Sequence, residues 1–206
     1  MLDLYTWRTP NGRKVPILLA ELELPYQLHL VDLGKHEQKT PAYLAINPNG
    51  KIPALVDRDG SGEPVRVFES GAILQYLADK TGRLLPRGGA ARAEVMSWLF
   101  WQVGGPGPTF GQLGQVAHTT PRDDAAYDRL VTEARRQVGV LDRQLRDREY
   151  IAGDYSIADI ACYPWFVAMA EGQALSLDGA EHVAAWMARL AIRPAVVAGM
   201  SVAAKR

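Results

Sequence analysis

The feature that most limits what this chain can fold into is a change of pattern near residue 80. Before that point, short stretches that alternate apolar and polar residues, which is typical of strands, take turns with stretches of helical period. After it, the regular stretches have the helical period, with apolar residues recurring every three or four positions. We therefore expect two domains, at residues 1–80 and 90–206, joined at residues 81–89 by a linker rich in glycine and cationic residues.

The first domain is predicted to contain a four-stranded mixed sheet. In chain order, the predicted elements are a strand at Leu2–Thr6, a helix at Arg13–Glu23, a strand at Gln27–Leu33, a short helical turn at Pro41–Ile46, strands at Ala54–Asp57 and Pro64–Phe68, and a helix at Ser70–Asp79. The first two strands, joined by a helix, should be parallel with a right-handed crossover. The turn residues Arg58–Glu63 predict an antiparallel hairpin for the last two strands. This α/β order is the arrangement of a thioredoxin-like domain.

The second domain is predicted to be an all-α C-terminal domain. Helices are expected at Ala90–Val103, Ala126–Leu145, Ser156–Ala170 and Glu181–Ala191. The Gly104–Pro108 run should break or kink the first of these helices, because it combines glycines with prolines. Ser156 and Asp159 form a capping-box pattern at the start of the third.

Composition excludes several classes of protein. Lys plus Arg and Asp plus Glu both number 23, so the formal net charge is zero, and a nucleic-acid binder, which is normally basic, is not expected. Cys162 is the single cysteine, which excludes an intrachain disulfide and a CxxC redox pair. The four histidines are too far apart in sequence to predict a metal site. Since the chain shows neither a signal-peptide pattern nor an apolar run of about 18 residues, we expect a cytoplasmic protein that does not span a membrane.

A first candidate site lies at Thr9–Lys14, directly after the first strand. Because proline is tolerated in the first turn of a helix but not deeper, Pro16 should hold the helix start near residue 12 or 13. Thr9 and Asn11 would then lie in the loop before the helix. A hydroxyl, an amide and free backbone N–H groups there would stabilise an anion at the positive end of the helix dipole. The alternative interpretation is an ordinary helix cap.

Two further candidate sites lie at Asn47–Pro53 and at Phe68–Ile73, where the fourth strand gives way to a helix. A cis Ile52–Pro53 bond would point the N–H and C=O of Ile52 outward, where a bound peptide could pair with them as an added strand. Ser70 can cap the helix and offer its hydroxyl to a carboxylate, while Glu69 can accept from an ammonium group. Together they suit the head of an amino acid. The alternatives are an ordinary proline-rich loop and a simple cap.

These segments and several others resemble the cytosolic glutathione transferases, and most closely the bacterial nu class, over essentially the whole chain. The matching segments are Thr9–Gly12, Val31–Lys35, Asn49–Ala54, Phe68–Ile73, Trp98–Gly105 and Tyr155–Ala161. The resemblance implies a homodimer that uses glutathione, in its reduced or disulfide form, and no metal. It favours glutathione-dependent reduction of disulfides, with weaker peroxidase and conjugating activity. The alternatives are a conjugating transferase for electrophiles and a non-catalytic regulatory module that binds glutathione.

The resemblance also implies that glutathione lies across the first domain. Glu69 and Ser70 would hold its γ-glutamyl head. The backbone of Ile52, with Pro53 cis, would pair with its cysteinyl backbone.

The remaining implied contacts concern the thiol and the glycine carboxylate of glutathione. Gln38 and Lys51 would lie near the glycine carboxylate, and the thiol would face Thr9 and Asn11. Arg129 aligns with a position that can reach glutathione from the neighbouring subunit. Its alternative interpretation is a solvated charge on a long helix.

Two neutral donors are enough to ionise the ligand's thiol. A thiol with a pKa near 8.5 is only a few per cent ionised at neutral pH. Lowering that pKa by about two units requires about 2.7 kcal/mol of preferential stabilisation of the thiolate, and hydrogen bonds to a charged group supply about 1.5–3 kcal/mol each. Thr9 and Asn11 can therefore supply it without a general base. Cys162, in an apolar helix, is predicted to be buried and structural, and the alternative interpretation is a redox partner.

Overall fold

The computed structural model describes residues 1–59, 62–172 and 176–202. The chain forms two compact units, one made of residues 1–83 with the segment that begins at residue 193, and the other of residues 84–192. Gly60 and Ser61, at the predicted hairpin turn, lie outside the described residues.

The first unit is built on a four-stranded mixed sheet, as predicted. Its elements are β1 (Leu2–Thr6), α1 (Pro10–Glu21), β2 (Tyr26–Leu30), 3-10 turns at Leu33–Lys35 and Glu37–Lys39, α2 (Pro41–Leu44), β3 (Ala54–Asp57), β4 (Val65–Phe68) and α3 (Ser70–Thr81). The strand order is β2-β1-β3-β4, in which β1 and β2 are parallel and the other two pairs are antiparallel. The helices α1 and α3 pack together, and their apolar residues Leu18, Ile73 and Leu77 are fully buried.

The second unit is helical, as predicted. Its helices are α4 (Gly89–Gly104), α5 (Pro106–Ala117), α6 (Asp124–Leu145), α7 (Ile157–Glu171) and α8 (Glu181–Ala191). The predicted break ends α4 at Gly104, and α5, which the sequence patterns did not predict, begins two residues later. The predicted capping box at the start of α7 is confirmed, since the backbone N–H of Ser156 donates to the Asp159 carboxylate at 3.0 Å.

A further helix, α9 (Pro194–Met200), packs against α1 in the first unit. A Cβ atom at Gly199 would lie 2.4 Å from the backbone nitrogen of Ile17, so the two helices touch backbone to backbone. The Arg193 guanidinium binds both carboxylate oxygens of Glu21, at 2.9 and 3.0 Å. The predicted domain of residues 90–206 included this segment, whereas its described contacts lie with α1.

The expected start of α1 was wrong, because the helix begins at Pro10 and Pro16 lies inside it. Proline has no N–H to donate to the carbonyl four residues earlier, which here belongs to Gly12. The hydroxyl of Thr6, a fully buried residue, donates to that carbonyl at 2.8 Å instead. With its carbonyl satisfied, the helix tolerates the proline, and Asn11 lies in the first turn of α1 rather than in a loop before it.

Among the described residues, no single helix is both long and apolar enough to cross a membrane. The helices α8 and α9 reach that length and composition only when they are counted together.

Candidate functional site

The register of the sheet brings the three candidate segments to one end of the first unit. Tyr5 of β1 pairs with Ala54 of β3, and Ala54 pairs with Phe68 of β4. Neighbouring strands lie about 4.8 Å apart, so these three positions span about 10 Å. The residues that follow β1, precede β3 and follow β4 therefore lie at the same end of the sheet. This brings Thr9, Pro53 and Glu69 into one site.

Thr9 lies between β1 and α1 as the N-cap residue of the helix. Its hydroxyl oxygen accepts a hydrogen bond from the Gly12 backbone N–H at 3.1 Å. A threonine hydroxyl has one donor and two acceptor sites, so this bond leaves the Thr9 proton for another acceptor. Asn11 is half-buried in the first turn of the same helix. The junction lies at the positive end of the α1 dipole and suits a negatively charged group.

Glycine at position 12 is required by a close approach of the backbone. A Cβ atom at Gly12 would lie 1.9 Å from the Trp7 carbonyl oxygen, which no side chain can tolerate. The same carbonyl accepts from the Thr9 N–H at 2.8 Å. This tight turn fixes the Thr9 hydroxyl over the first turn of α1.

The Ile52–Pro53 peptide bond is cis, as predicted. The carbonyl of Lys51 accepts from the Tyr43 hydroxyl at 2.7 Å and from the Asn47 side-chain amide at 2.6 Å, which fixes the preceding loop. Burial raises the pKa of Tyr43 to about 12, so this hydroxyl remains a donor at neutral pH. Within the described part of the chain, the Ile52 N–H and C=O have no hydrogen-bond partner and are able to pair with an extended ligand.

Glu69 and Ser70 lie where β4 meets α3. Glu69 has φ 70° and ψ 122°, a conformation that is rare for a residue with a side chain and costs about 1–3 kcal/mol. The Asn49 side-chain amide donates to its carboxylate at 3.2 Å. The expectation that Ser70 caps the helix was wrong, because Glu69 occupies the N-cap position and Ser70 is the first helical residue. The Ser70 hydroxyl instead accepts a hydrogen bond from Lys14 Nζ at 3.3 Å.

The other predicted site residues are placed as follows. Gln38 is half-buried in the 3-10 turn Glu37–Lys39, and its Oε1 atom is buried with no partner among the described residues. A Cβ atom at Gly50 would lie 3.1 Å from the Gln38 carbonyl, so this turn lies beside the residue that precedes the exposed Lys51. Arg129 is exposed on α6 in the second unit.

Two residues of the site, Lys14 and Asn49, had been given no role from the sequence. Lys14 is only 1% exposed although it lies on α1 next to Val15 and four residues before Leu18, both of which are buried. A lysine within an apolar helix face is the signal that could have identified it. Asn49 has no comparable signal, because its contact with Glu69 joins two loops 20 residues apart in sequence.

The described residues supply donors and acceptors rather than a reactive group of their own. Cys162 is fully buried in α7, as predicted. In residues 1–59, 62–172 and 176–202, no group of three or more His, Cys, Asp or Glu side chains is arranged to hold a metal ion. The site can pair with an extended peptide, bind an amino-acid head at Glu69 and Ser70, and stabilise an anion at Thr9.

Comparison with known protein families gives two matches. The model of the glutathione S-transferase N-terminal domain matches residues 9–80, and the model of the C-terminal domain of the same family matches residues 107–194.

Individual relatives match over nearly the full chain. The disulfide-bond oxidoreductase YfcG of Escherichia coli (strain K12) is 47% identical over 200 residues, covering 95% of this chain and 92% of that protein. A glutathione transferase family member from Pseudomonas fluorescens, crystallised with two glutathione bound, superposes with a TM-score of 0.93 at 44% identity, covering 97% of this chain and 92% of that one. A glutathione transferase from Pseudomonas putida, crystallised with one glutathione disulfide bound per subunit, has a TM-score of 0.93 at 42% identity, covering 98% and 91%.

Proposed function

Because this chain belongs to the glutathione S-transferase family, we propose that it is an enzyme that reduces disulfide bonds with bound glutathione. The relative YfcG carries the name of that activity, and the related structures from Pseudomonas hold two glutathione molecules or one glutathione disulfide. The observation that carries the proposal is the geometry of Thr9, whose hydroxyl is held by the Gly12 N–H and keeps its own proton for an anion at the start of α1.

Glutathione binds at the end of the sheet where the three candidate segments meet. Its γ-glutamyl carboxylate accepts from Ser70 and its ammonium group donates to Glu69, which Asn49 holds in place. Its cysteinyl backbone pairs with the N–H and C=O of Ile52 beside Pro53, as an added strand would.

The glycine end of glutathione extends toward the loop that holds Gln38 and Lys51. The lysine ammonium pairs with the glycine carboxylate, and the amide of Gln38 provides a neutral hydrogen bond. We assign Arg129 to the same ligand in the neighbouring subunit of a homodimer.

The chemistry uses the sulfur of the ligand. Thr9 and Asn11 donate to the glutathione thiolate, which attacks one sulfur of a substrate disulfide and forms a mixed disulfide while the other sulfur leaves as a thiolate and takes up a proton. A second glutathione thiolate attacks the glutathione sulfur of the mixed disulfide. The products are glutathione disulfide and two substrate thiols, so two glutathione molecules supply the two electrons.

The same thiolate gives weaker secondary activities. Attack on the terminal oxygen of an organic hydroperoxide releases an alcohol, and a second glutathione then forms glutathione disulfide and water. Attack on an electrophilic carbon gives a conjugate. We place the enzyme in the cytoplasm, where reduced glutathione is maintained.

The test of this proposal is the pH dependence of disulfide reductase activity in the Thr9→Ala/Asn11→Ala variant. Without the two donors the thiol pKa returns toward about 8.5, so kcat/KM at pH 7 should fall about 10- to 100-fold. At a pH above 9 the thiolate forms without help, and most of the loss should disappear. Glutathione should still bind, because Ser70 and Ile52 are unchanged.

The control is Asp123→Ala, which removes another N-cap hydrogen bond, from Ala126 N–H at 2.9 Å, in the second unit. Both variants lose about 1 kcal/mol of cap stability, but only the first should lose activity. Unchanged turnover at pH 7 in the Thr9→Ala/Asn11→Ala variant would exclude these residues from the mechanism.

A further inference from the structure

We propose that Lys14 is a positioning residue that orients the Ser70 hydroxyl toward the γ-glutamyl carboxylate of glutathione and so selects ligands with a free α-carboxylate. This inference rests on the proposed function, since it concerns the same binding site. It adds a residue that has no part in the chemistry at sulfur.

Lys14 occupies a place where an apolar side chain would be expected. It is 1% exposed on α1, and the adjacent Val15 and Leu18, one turn further on, are fully buried. Removing an ammonium group from water costs several kcal/mol, whereas a methionine of similar length would fill the same space without that cost. A buried ammonium group therefore needs acceptors inside the fold, and the Ser70 hydroxyl is one of them.

The hydrogen bond between Lys14 and Ser70 fixes the direction of the serine proton. An ammonium group has three donors and no acceptor, so in the 3.3 Å contact the Ser70 oxygen must accept. The serine has a single proton, which then points to another acceptor. No hydrogen bond among the described residues uses that proton. A ligand carboxylate at the start of α3 is an acceptor that suits it.

The charge of Lys14 acts in the same direction. Ser70 is the first residue of α3, where backbone N–H groups without helical partners already favour an anion. A hydroxyl that accepts from an ammonium group is polarised and donates more strongly to a carboxylate. The same positive charge repels the ligand's own ammonium group, which leaves Glu69 as its partner. Lys14 thereby fixes which way round the amino-acid head binds.

The experiment compares two ligands by isothermal titration calorimetry: glutathione, and the analogue in which 4-aminobutanoate replaces the γ-glutamyl residue and the α-carboxylate is missing. In Lys14→Met, affinity for glutathione should fall about tenfold, in the range of one charge-assisted hydrogen bond, while affinity for the analogue changes less than about twofold. In a Ser70→Ala background, Lys14→Met should have little further effect on glutathione. In steady-state kinetics the Lys14→Met variant should raise KM for glutathione more than it lowers kcat.

Lys80→Met is the matched control. It removes an ammonium group from the same unit, but Lys80 lies ten residues after Ser70 on α3, about 15 Å along the helix axis. It should alter affinity for both ligands by less than about twofold. Should Lys14→Met not fold, as judged by thermal unfolding, Lys14→Gln replaces it, with an expected loss of about threefold for glutathione only.

The outcomes separate this inference from the proposed function. Wild-type protein that binds glutathione, with a folded Lys14 variant that binds it equally well or loses both ligands equally, would overturn the role of Lys14 and leave the proposed function standing. Wild-type protein that binds no glutathione would remove both.

Discussion

The hydrogen bond from Thr6 to the Gly12 carbonyl replaces the one that Pro16 cannot make, and this substitution of one donor for another can be measured. The Thr6→Val variant keeps the shape of the side chain and removes the donor. Since Thr6 is fully buried, water does not reach the carbonyl. Leaving a buried acceptor unsatisfied should lower the free energy of unfolding by about 1–3 kcal/mol.

The Pro16→Ala background should remove most of that cost. Position 16 then regains a backbone N–H that can donate to Gly12, the fourth residue before it, so Thr6→Val should cost less than about 0.5 kcal/mol. The four proteins form a double-mutant cycle, read by urea unfolding followed by tryptophan fluorescence and circular dichroism. Thr132→Val is the control, because its hydroxyl is exposed and its bond to the Asp128 carbonyl can be replaced by water. An equal cost of Thr6→Val with and without the proline would refute the argument.

Two further predictions concern the first unit. Burial alone would raise the pKa of Asp57, but hydrogen bonds, led by that from Lys80 at 2.5 Å, hold the pKa below its usual value, and the same contact raises the pKa of Lys80 to about 12. A lowered carboxyl pKa contributes stability above about pH 4 that is lost as the pH falls through the folded-state value. Asp57→Asn should therefore lower the free energy of unfolding by about 1–3 kcal/mol at pH 7. In urea titrations at pH 3, the difference in free energy between the variant and the wild type should be smaller. A difference that grew on acidification would contradict this prediction. Gly199→Ala places a methyl group 2.4 Å from the Ile17 backbone nitrogen and should lower the free energy of unfolding, measured by thermal unfolding, by about 1–3 kcal/mol. The control Gly114→Ala, in the interior of α5, should leave that free energy unchanged or raise it by up to about 1 kcal/mol. Equal effects of the two substitutions would exclude the backbone contact between α1 and α9.

The sheet could be predicted from the sequence because its signals are local. The strands β1 and β3 were predicted with the bounds that the structure shows, at Leu2–Thr6 and Ala54–Asp57. Short alternating or apolar runs with turn residues at both ends favour a strand over a helix at these positions. Resemblance to a family, rather than composition, predicted the cis bond before Pro53.

The helices α5 and α9 were missed because nonlocal contacts stabilise them. The Gly104–Pro108 run predicted only a break, and no helix was predicted after it. A Cβ atom at Gly111 would lie 3.3 Å from the ring of Trp165, so this glycine allows close helix packing in α5. In α9, Gly199 has the same function against α1. By helix propensity alone, glycine is unfavourable in a helix. The packing that makes these glycines favourable depends on residues far away in sequence.

In the candidate site, too, residues with local signals could be predicted and residues placed by nonlocal contacts could not. Thr9 and Glu69 could be placed from strand ends and cap residues, which are local features. The bond between Lys14 and Ser70 joins residues 56 positions apart and depends on how α1 and α3 face each other. The predicted position of Asn11 was wrong because α1 starts early. The donor that allows this, the Thr6 hydroxyl, bonds the Gly12 carbonyl of α1 from outside the helix.

The return of α9 to α1 has a consequence for biosynthesis. The ribosome makes the sheet first, but the residues that cover Ile17 follow the whole of residues 84–192 in the chain. A nascent polypeptide would therefore carry an unfinished apolar helix face while more than a hundred residues are still being added, about 5–20 s at ordinary elongation rates. The first unit can therefore complete its packing only after the second unit has been synthesised, although its sheet comes first in the chain.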